Sequence, residues 1–164
     1  MKKILLALIL ILTVSLSTTL AATGDVNGFK GYKWGTDFET INKDKNLKYW
    51  LESPDNESEY ISMNDTVNDE NGDLIIGYSY LFYNNKLVSG RALLFSDATY
   101  TAAFEKVKQQ CGNPVSKEGF YVFSHQGTYI FCHKESKTIL FRDADHAKTI
   151  SSNEKKEAYD KYFN

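Results

Sequence analysis

The sequence predicts an α+β fold in which helices cover an antiparallel sheet mainly on one face. The first observation behind this is a central hairpin over residues 74–95, where two aromatic and β-branched runs flank Asn84-Asn85, a pair that tolerates positive φ. The second is a C-terminal meander of short strands, because short connections join antiparallel neighbours. A helical pattern precedes each group of strands, so the order also fits two tandem helix-plus-strands units.

The first 21 residues have the pattern of a secretory signal peptide. Lys2 and Lys3 form a positive n-region, residues 4–14 form an apolar core, and a small-x-small pattern ends at Ala21. The apolar core is shorter than the roughly 20 residues that span a bilayer, which argues against a retained anchor. We therefore expect cleavage after Ala21, a single domain over 22–164, and export to the bacterial periplasm or the medium.

The charge balance argues against nucleic acid as a partner. Cleavage removes two of the 19 basic residues and leaves 17 against 21 acidic residues, a net charge of −4. Nucleic acids and anionic membranes attract basic surfaces, and the mature chain contains no basic block. We expect neither nucleic-acid binding nor stable membrane insertion after signal cleavage.

The first half of the domain predicts one short helix and short strands after a glycine-spaced lead-in over 23–31. Thr36 and Glu39 have the spacing of a capping box, so the helix is expected to begin at Asp37 and to end near Asp44. Two short strands are predicted to follow, over 47–51 and 60–63.

The acidic stretch 64–73 does not fit the pattern of a calcium-binding loop. With Gly72 at the sixth position of such a loop, Val67 would occupy the first, where a carboxylate is required. We interpret the stretch as a solvated connecting loop.

The two-residue turn predicts the register of the central hairpin, with Tyr83 opposite Lys86. Uninterrupted pairing places Gly77 opposite Ala92 in a trough of small side chains that a helix could cover. The other face is expected to carry three aromatic side chains and one arginine: Tyr78, Tyr80, Phe82 and Arg91. Because Tyr and Arg are enriched at protein interfaces, this aromatic face is the candidate partner-binding surface.

A longer helix is predicted over 98–111. Ser96-Asp97 offers an N-terminal cap, Gly112 with Asn113-Pro114 supplies the stop, and one apolar stripe has helical spacing. The stripe comprises Tyr100, Phe104, Val107 and Cys111. We expect this helix to cover the trough. Three meander strands should follow, over 119–124, 128–133 and 138–143, and a C-terminal helix is expected to begin at Ser151.

Cys111 and Cys132 are the only cysteines of the chain. In an exported protein, two cysteines most simply form a disulfide, which here would join the long helix to a meander strand. The alternative is two separate buried thiols, because a free cysteine packs as a small apolar residue.

No catalytic or metal-binding motif is present. A metal site needs three or four converging ligands, and adjacent strand residues such as Cys132 and His133 point to opposite faces. The credible donors are Cys111, Cys132, His133 and His146. Neither a G-x-S-x-G elbow nor a phosphate-binding glycine-rich loop occurs. We expect no metal, no cofactor and no enzymatic activity.

Three short motifs give the chain a resemblance to other exported proteins. They are Tyr32-Lys33-Trp34-Gly35-Thr36, Tyr80-Leu81-Phe82-Tyr83-Asn84-Asn85-Lys86-Leu87 and Cys111-Gly112-Asn113-Pro114. Together they resemble small exported bacterial proteins of unassigned role, over most of the mature chain. The order of elements is also similar to the β-lactamase inhibitor protein architecture of two tandem α/β units. The resemblance implies an exported α+β domain and assigns no catalytic or inhibitory residues.

The interpretation that joins these observations is an exported, non-catalytic protein of the bacterial envelope that binds a protein or an envelope component. The alternative is a small hydrolase or metal-dependent enzyme that uses His125, His133 or His146. A third hypothesis is weak self-association through an exposed sheet edge, which short outer strands permit.

Overall fold

The computed structural model of the protein describes residues 27–52, 57–117 and 119–149. The strands are β1 (Gly28–Phe29), β2 (Tyr32–Lys33), β3 (Leu47–Glu52), β4 (Ser58–Ser62), β5 (Val67–Asn68), β6 (Leu74–Tyr83), β7 (Lys86–Leu94), β8 (Val115–Lys117), β9 (Phe120–His125), β10 (Thr128–His133) and β11 (Thr138–Asp143). The helices are α1 (Phe38–Lys45), α2 (Asp97–Cys111) and α3 (Ala144–Thr149). The predicted signal peptide, its cleavage site and the predicted C-terminal helix lie outside the described residues.

Nine antiparallel strands form one sheet, which confirms the predicted α+β class. The order across the sheet is β3-β4-β6-β7-β11-β10-β9-β8, and β5 also pairs with β6. The central hairpin and the meander are therefore parts of one sheet, joined where β7 pairs with β11. Strands β1 and β2 form a separate hairpin. Within the described ranges, no helix is both long enough and apolar enough to span a membrane.

Helices α1 and α2 pack on the same side of the sheet. One row of directly opposite residues crosses five strands and so shares a face: Tyr80, Gly90, Phe141, Ile130 and Phe123. Phe104 of α2 contacts Phe123 with ring centroids 5.9 Å apart, and Phe38 of α1 contacts Phe82 at 5.2 Å. We call this side the helix face and the opposite side the far face.

A β-bulge at Val88 overturns the predicted pairing of the central hairpin. Phe82 is opposite Leu87 as predicted, but Leu81 is opposite Ser89, so β7 contains one extra residue. The bulge lies where β7 changes neighbours. At Leu87 the strand hydrogen-bonds to residues 35 and 36, and from Ser89 onward it pairs with β11.

The shifted register also overturns the predicted trough. Gly77 is opposite Leu93 and Tyr78 is opposite Ala92, so Gly77 and Ala92 lie on different faces. Helix α2 instead packs on the helix face, where its buried residues and Ala92 of β7 belong to the same apolar cluster. Three of its residues are buried there: Tyr100, Ala103 and Val107.

The predicted N-terminal cap of α2 is formed, whereas the predicted capping box of α1 is not. The Ser96 side chain accepts a hydrogen bond from Thr99 N at 3.0 Å and caps α2 as predicted. The capping box of α1 is not formed, since Thr36 Oγ1 donates to Lys33 O and Asp37 is the N-cap residue. Helix α1 ends at Lys45, and its C-cap Asn46 adopts the left-handed conformation that asparagine tolerates.

Gly90 allows the β1–β2 hairpin to pack on the helix face. Phe29 is 1% exposed and contacts the rings of Tyr78, Tyr80 and Phe141. A Cβ atom at Gly90 would lie 2.1 Å from Phe29 Cδ1. The ring therefore occupies the space that a side chain would need. The sequence pattern did not predict this hairpin, because its first strand lies in the segment 23–31, which was interpreted as a glycine-spaced lead-in.

We expect Gly90→Ala to lower the free energy of unfolding by about 1–3 kcal/mol, the usual cost of overpacking a core. Gly77→Ala is the matched control, because its Cβ would meet Phe95 Cε2 at an ordinary 3.7 Å. The measurement is urea denaturation followed by circular dichroism. Equal stability of the two variants would contradict the proposed contact between Gly90 and Phe29.

Candidate functional site

The predicted partner-binding face is not a surface. Tyr78, Tyr80 and Phe82 are 2%, 0% and 3% exposed, because they form the core beneath Phe29 and α1. Arg91 lies on the far face, where it forms an ion pair with Glu59 at 3.3 Å. The prediction failed because it assumed uninterrupted pairing, whereas the bulge turns Arg91 away from the tyrosines.

The two buried tyrosines contact an ion pair at the edge of the core. Tyr80 Oη donates to Asp65 Oδ2 at 2.6 Å, and Lys30 Nζ lies 3.0 Å from the other oxygen of Asp65. The same ammonium lies 4.0 Å from the centroid of the Tyr78 ring. Burial, and for Tyr80 also its hydrogen bond to Asp65, raises the pKa of both phenols far above the ordinary value. These contacts hold the segment between β4 and β5 against the sheet.

A buried ionic network lies on the far face. Glu57 is 0% exposed, and its Oε2 accepts a hydrogen bond from the Arg142 guanidinium at 2.5 Å. Arg142 Nε also donates to Ser89 Oγ at 2.8 Å. The other oxygen of Glu57 lies 2.9 Å from His146 Nε2 of α3. The network joins the segment before β4 to β7, β11 and α3.

A second buried carboxylate lies on the same face. Glu59 is 1% exposed, accepts a hydrogen bond from Ser79 Oγ at 2.5 Å and pairs with Arg91. Burying a charge is costly unless it is paired and hydrogen-bonded, and both glutamates meet that condition. Neither carboxylate can be recognised from the sequence, because their partners lie far along the chain and leave no local pattern.

The three histidines lie in different surroundings. His146 contacts Glu57, and its ring centroid is 5.0 Å from that of Tyr83. His133 stacks on Phe120 at 4.3 Å, and its Nδ1 lies 2.7 Å from Ser136 Oγ. His125 ends β9 opposite Thr128. Among residues 27–52, 57–117 and 119–149, no group of three or more His, Cys, Asp or Glu could hold a metal ion.

Cys111 and Cys132 are free thiols in the structure. Cys132 is fully buried in β10, and Cys111 is the half-buried last residue of α2. Burial raises the pKa of Cys132 to about 12, with a smaller contribution from Cys111. The disulfide between Cys111 and Cys132 stays a prediction.

The far face also carries a band of apolar side chains. A row of directly opposite residues crosses the far face from β7 to β8 and so shares that face. In order, these residues are Arg91, Leu140, Phe131, Val122 and Val115. The Phe95 ring lies on the same face beside Leu93, since both would touch a Cβ at Gly77. We define the far-face band as Leu93, Phe95, Val115, Phe120, Phe131 and Leu140. Val115 and Phe95 are each 56% exposed.

Comparison with known proteins shows a distant structural likeness. No family model matches the chain, and no curated protein matches it. A cysteine-rich secretory protein from Staphylococcus aureus has a solved structure that superposes with a TM-score of 0.40 at 9% identity. The superposition covers 68% of this chain and 45% of that protein, so this chain spans less than half of its length.

We expect Arg142→Met to lower the free energy of unfolding by about 3–5 kcal/mol, because it leaves the buried Glu57 charge without this partner. Adding Glu57→Leu should restore more than half of the loss, since the uncompensated charge is then gone. The exposed pair Lys148–Asp145 offers the control, and Lys148→Met should cost less than about 1 kcal/mol. Chemical denaturation of the four proteins measures these differences. A double variant no more stable than Arg142→Met would contradict a buried charge at Glu57.

We also expect the reduced protein to lose stability as the pH rises above about 9. Burial raises the pKa of Cys132 to about 12 and raises those of three tyrosines. At alkaline pH the native state therefore keeps protons that the unfolded chain has released, and the free energy of unfolding falls with pH. Urea denaturation between pH 8 and pH 11, chosen to span roughly these pKa values, measures the slope. Cys132→Ala should make this fall shallower at about pH 8–10, where the unfolded thiol loses its proton. A fall that is unchanged in Cys132→Ala would contradict the buried Cys132 thiol as one of its sources.

Proposed function

We propose that this chain is an exported, non-catalytic binding protein of the bacterial envelope or its surroundings, and that it recognises a macromolecular partner through the far-face band. The observation that carries the proposal is the band itself. It places six apolar side chains on the side of the sheet opposite α1 and α2. Apolar side chains grouped on one face of a sheet mark interaction sites in soluble proteins.

The chemistry of the band suits a protein or an apolar envelope component. Phe120, extended by its stacked His133, offers a flat aromatic surface, and aromatic side chains dominate the energetics of interfaces. The mature chain has a net charge of −4, which does not favour nucleic acid or anionic lipid. The signal-peptide pattern and the resemblance to small exported proteins support the location outside the cytoplasm.

A hydrolase that uses His146 is the second candidate, favoured by the contact between His146 Nε2 and the Glu57 carboxylate. A carboxylate that orients a histidine is the arrangement of a general base. The His146 side chain is only 9% exposed, however, and Glu57 is already bound by the buried Arg142. A structural role of this contact therefore has the better support.

The binding proposal predicts that Val115→Asp weakens partner binding at least tenfold, since a buried charge in an apolar interface costs more than about 1.4 kcal/mol. The purified mature protein is used to capture ligands from a bacterial envelope fraction, and a candidate is identified by mass and purified. Its affinity is then measured by calorimetry for the wild type and for Val115→Asp.

Met63→Asp is the control, because Met63 is a similarly exposed apolar residue that follows β4, outside the band. Both variants must keep the wild-type circular dichroism spectrum. Equal affinity of Val115→Asp and Met63→Asp for the purified partner would refute the far-face band as the binding surface. The absence of any saturable partner would refute the proposed function.

A further inference from the structure

Among the strands that the structure describes, β3 is the outermost on its side of the sheet, and it pairs with β4. Five of its six residues are exposed. They include the consecutive residues Tyr49, Trp50 and Leu51, which are 60%, 43% and 37% exposed. Edge strands usually carry charged residues or proline at such positions, because an open edge is a template for another strand.

The backbone of β3 offers hydrogen bonds on its outer side. Leu47 N donates to the Asn42 side chain at 2.9 Å, which shows that the N–H of Leu47 is not directed at β4. Successive residues of an antiparallel strand direct their N–H and C=O groups to alternate sides. Tyr49, two residues further on, therefore directs its N–H and C=O outward.

We propose that β3 pairs with β3 of a second copy of this chain, antiparallel and about a two-fold axis at Tyr49. In this arrangement the N–H and C=O groups of the two Tyr49 residues bond to each other. Lys48 of one copy then lies opposite Trp50 of the second copy, where the ammonium can rest on the indole ring. The same contact forms twice, as an isologous interface requires.

The bulge of β3 at Trp50 limits the size of this interface. The pairing of β3 with β4 shifts between Tyr49 and Leu51, and a bulge increases the local twist of the strand. A regular ladder between two copies is therefore short, and the dimer is weaker than standard-size interfaces. The second copy is favoured over an unrelated strand because β3 itself supplies both the cation and the indole that complement each other across the axis.

The dimer goes beyond the proposed function and does not depend on it. A two-fold axis through an antiparallel edge contact is perpendicular to the sheet, so both far-face bands lie on the same side of the dimer. A partner with two binding positions could then engage both copies at once, which raises avidity without any new contact.

Disulfide trapping with two neighbouring variants tests the register. In a hydrogen-bonded antiparallel pair the opposed Cα atoms are about 5.5 Å apart, within the range of a disulfide. Tyr49→Cys should therefore form covalent dimers under mild oxidation of the concentrated mature protein. Lys48→Cys is the matched control, because two Lys48 residues would be about 8 Å apart and could not be joined without distortion. We expect at least tenfold more dimer from Tyr49→Cys, with the bridge mapped to residue 49 by peptide mass spectrometry.

Sedimentation equilibrium provides a measurement without engineered cysteines. The wild type should show a concentration-dependent dimer, and Tyr49→Lys should abolish it by placing two like charges opposite each other. Met63→Lys should leave the dimer unchanged. The proposal is overturned if the wild type stays monomeric at several hundred micromolar. At that concentration, dimers with dissociation constants from roughly micromolar to millimolar are populated. Equal trapping at positions 48 and 49, or trapping of a different polypeptide at position 49, overturns it as well.

Discussion

The extra residue at Val88 determines what each face of the sheet can do. Without the bulge, Arg91 would lie beside the tyrosines of β6, among the side chains that α2 and Phe29 cover. With it, Ala92 and Leu94 join the helix face and Arg91 joins the far face, where Glu59 meets its charge. The bulge therefore separates an apolar core from a polar network by a shift of one position, because strand side chains alternate between faces.

The far face has an ionic region and an apolar region. Near the turn of the central hairpin, Glu57, Arg142 and His146 satisfy one another at distances of hydrogen bonds. Toward β8 the same face carries apolar side chains with large exposed fractions. Charged groups that are already paired in the interior have little left to offer a ligand, whereas an exposed apolar surface gains free energy when it is covered. This contrast places the proposed binding function in the apolar region.

Local patterns predicted the elements that depend on local chemistry. Asn84-Asn85 indicated the hairpin turn, and both residues do have positive φ. Ser96 indicated the start of α2, and the short connections indicated the meander, whose last two strands were predicted with the observed bounds. These features depend on turn and cap residues that are close in sequence to the elements they begin or end.

Features that depend on distant contacts could not be predicted in this way. The bulge at Val88 lies where β7 changes its neighbouring strand. Position 90 requires glycine because the ring of Phe29, which lies far upstream, occupies the space of a side chain. Arg142 and Glu57 are separated by 85 positions, so neither residue marks the other in the sequence. The candidate surface predicted from the hairpin failed for the same reason, since a single unrecognised extra residue exchanges the two faces.

The place of β11 in the sheet has a consequence for how the chain acquires its structure. β7 lies in the middle of the sheet, yet its neighbour β11 follows much later, and Ser89 and Arg142 are 53 positions apart. Before β11 arrives, one side of β7 is an open row of donors and acceptors, and β11 follows β7 only after α2 and strands β8 to β10. Closing so long a loop slows folding, and exposed strand edges favour aggregation in the meantime. The centre of the sheet is thus completed late in folding, and until then the unfinished hairpin exposes a strand edge on which another chain could pair.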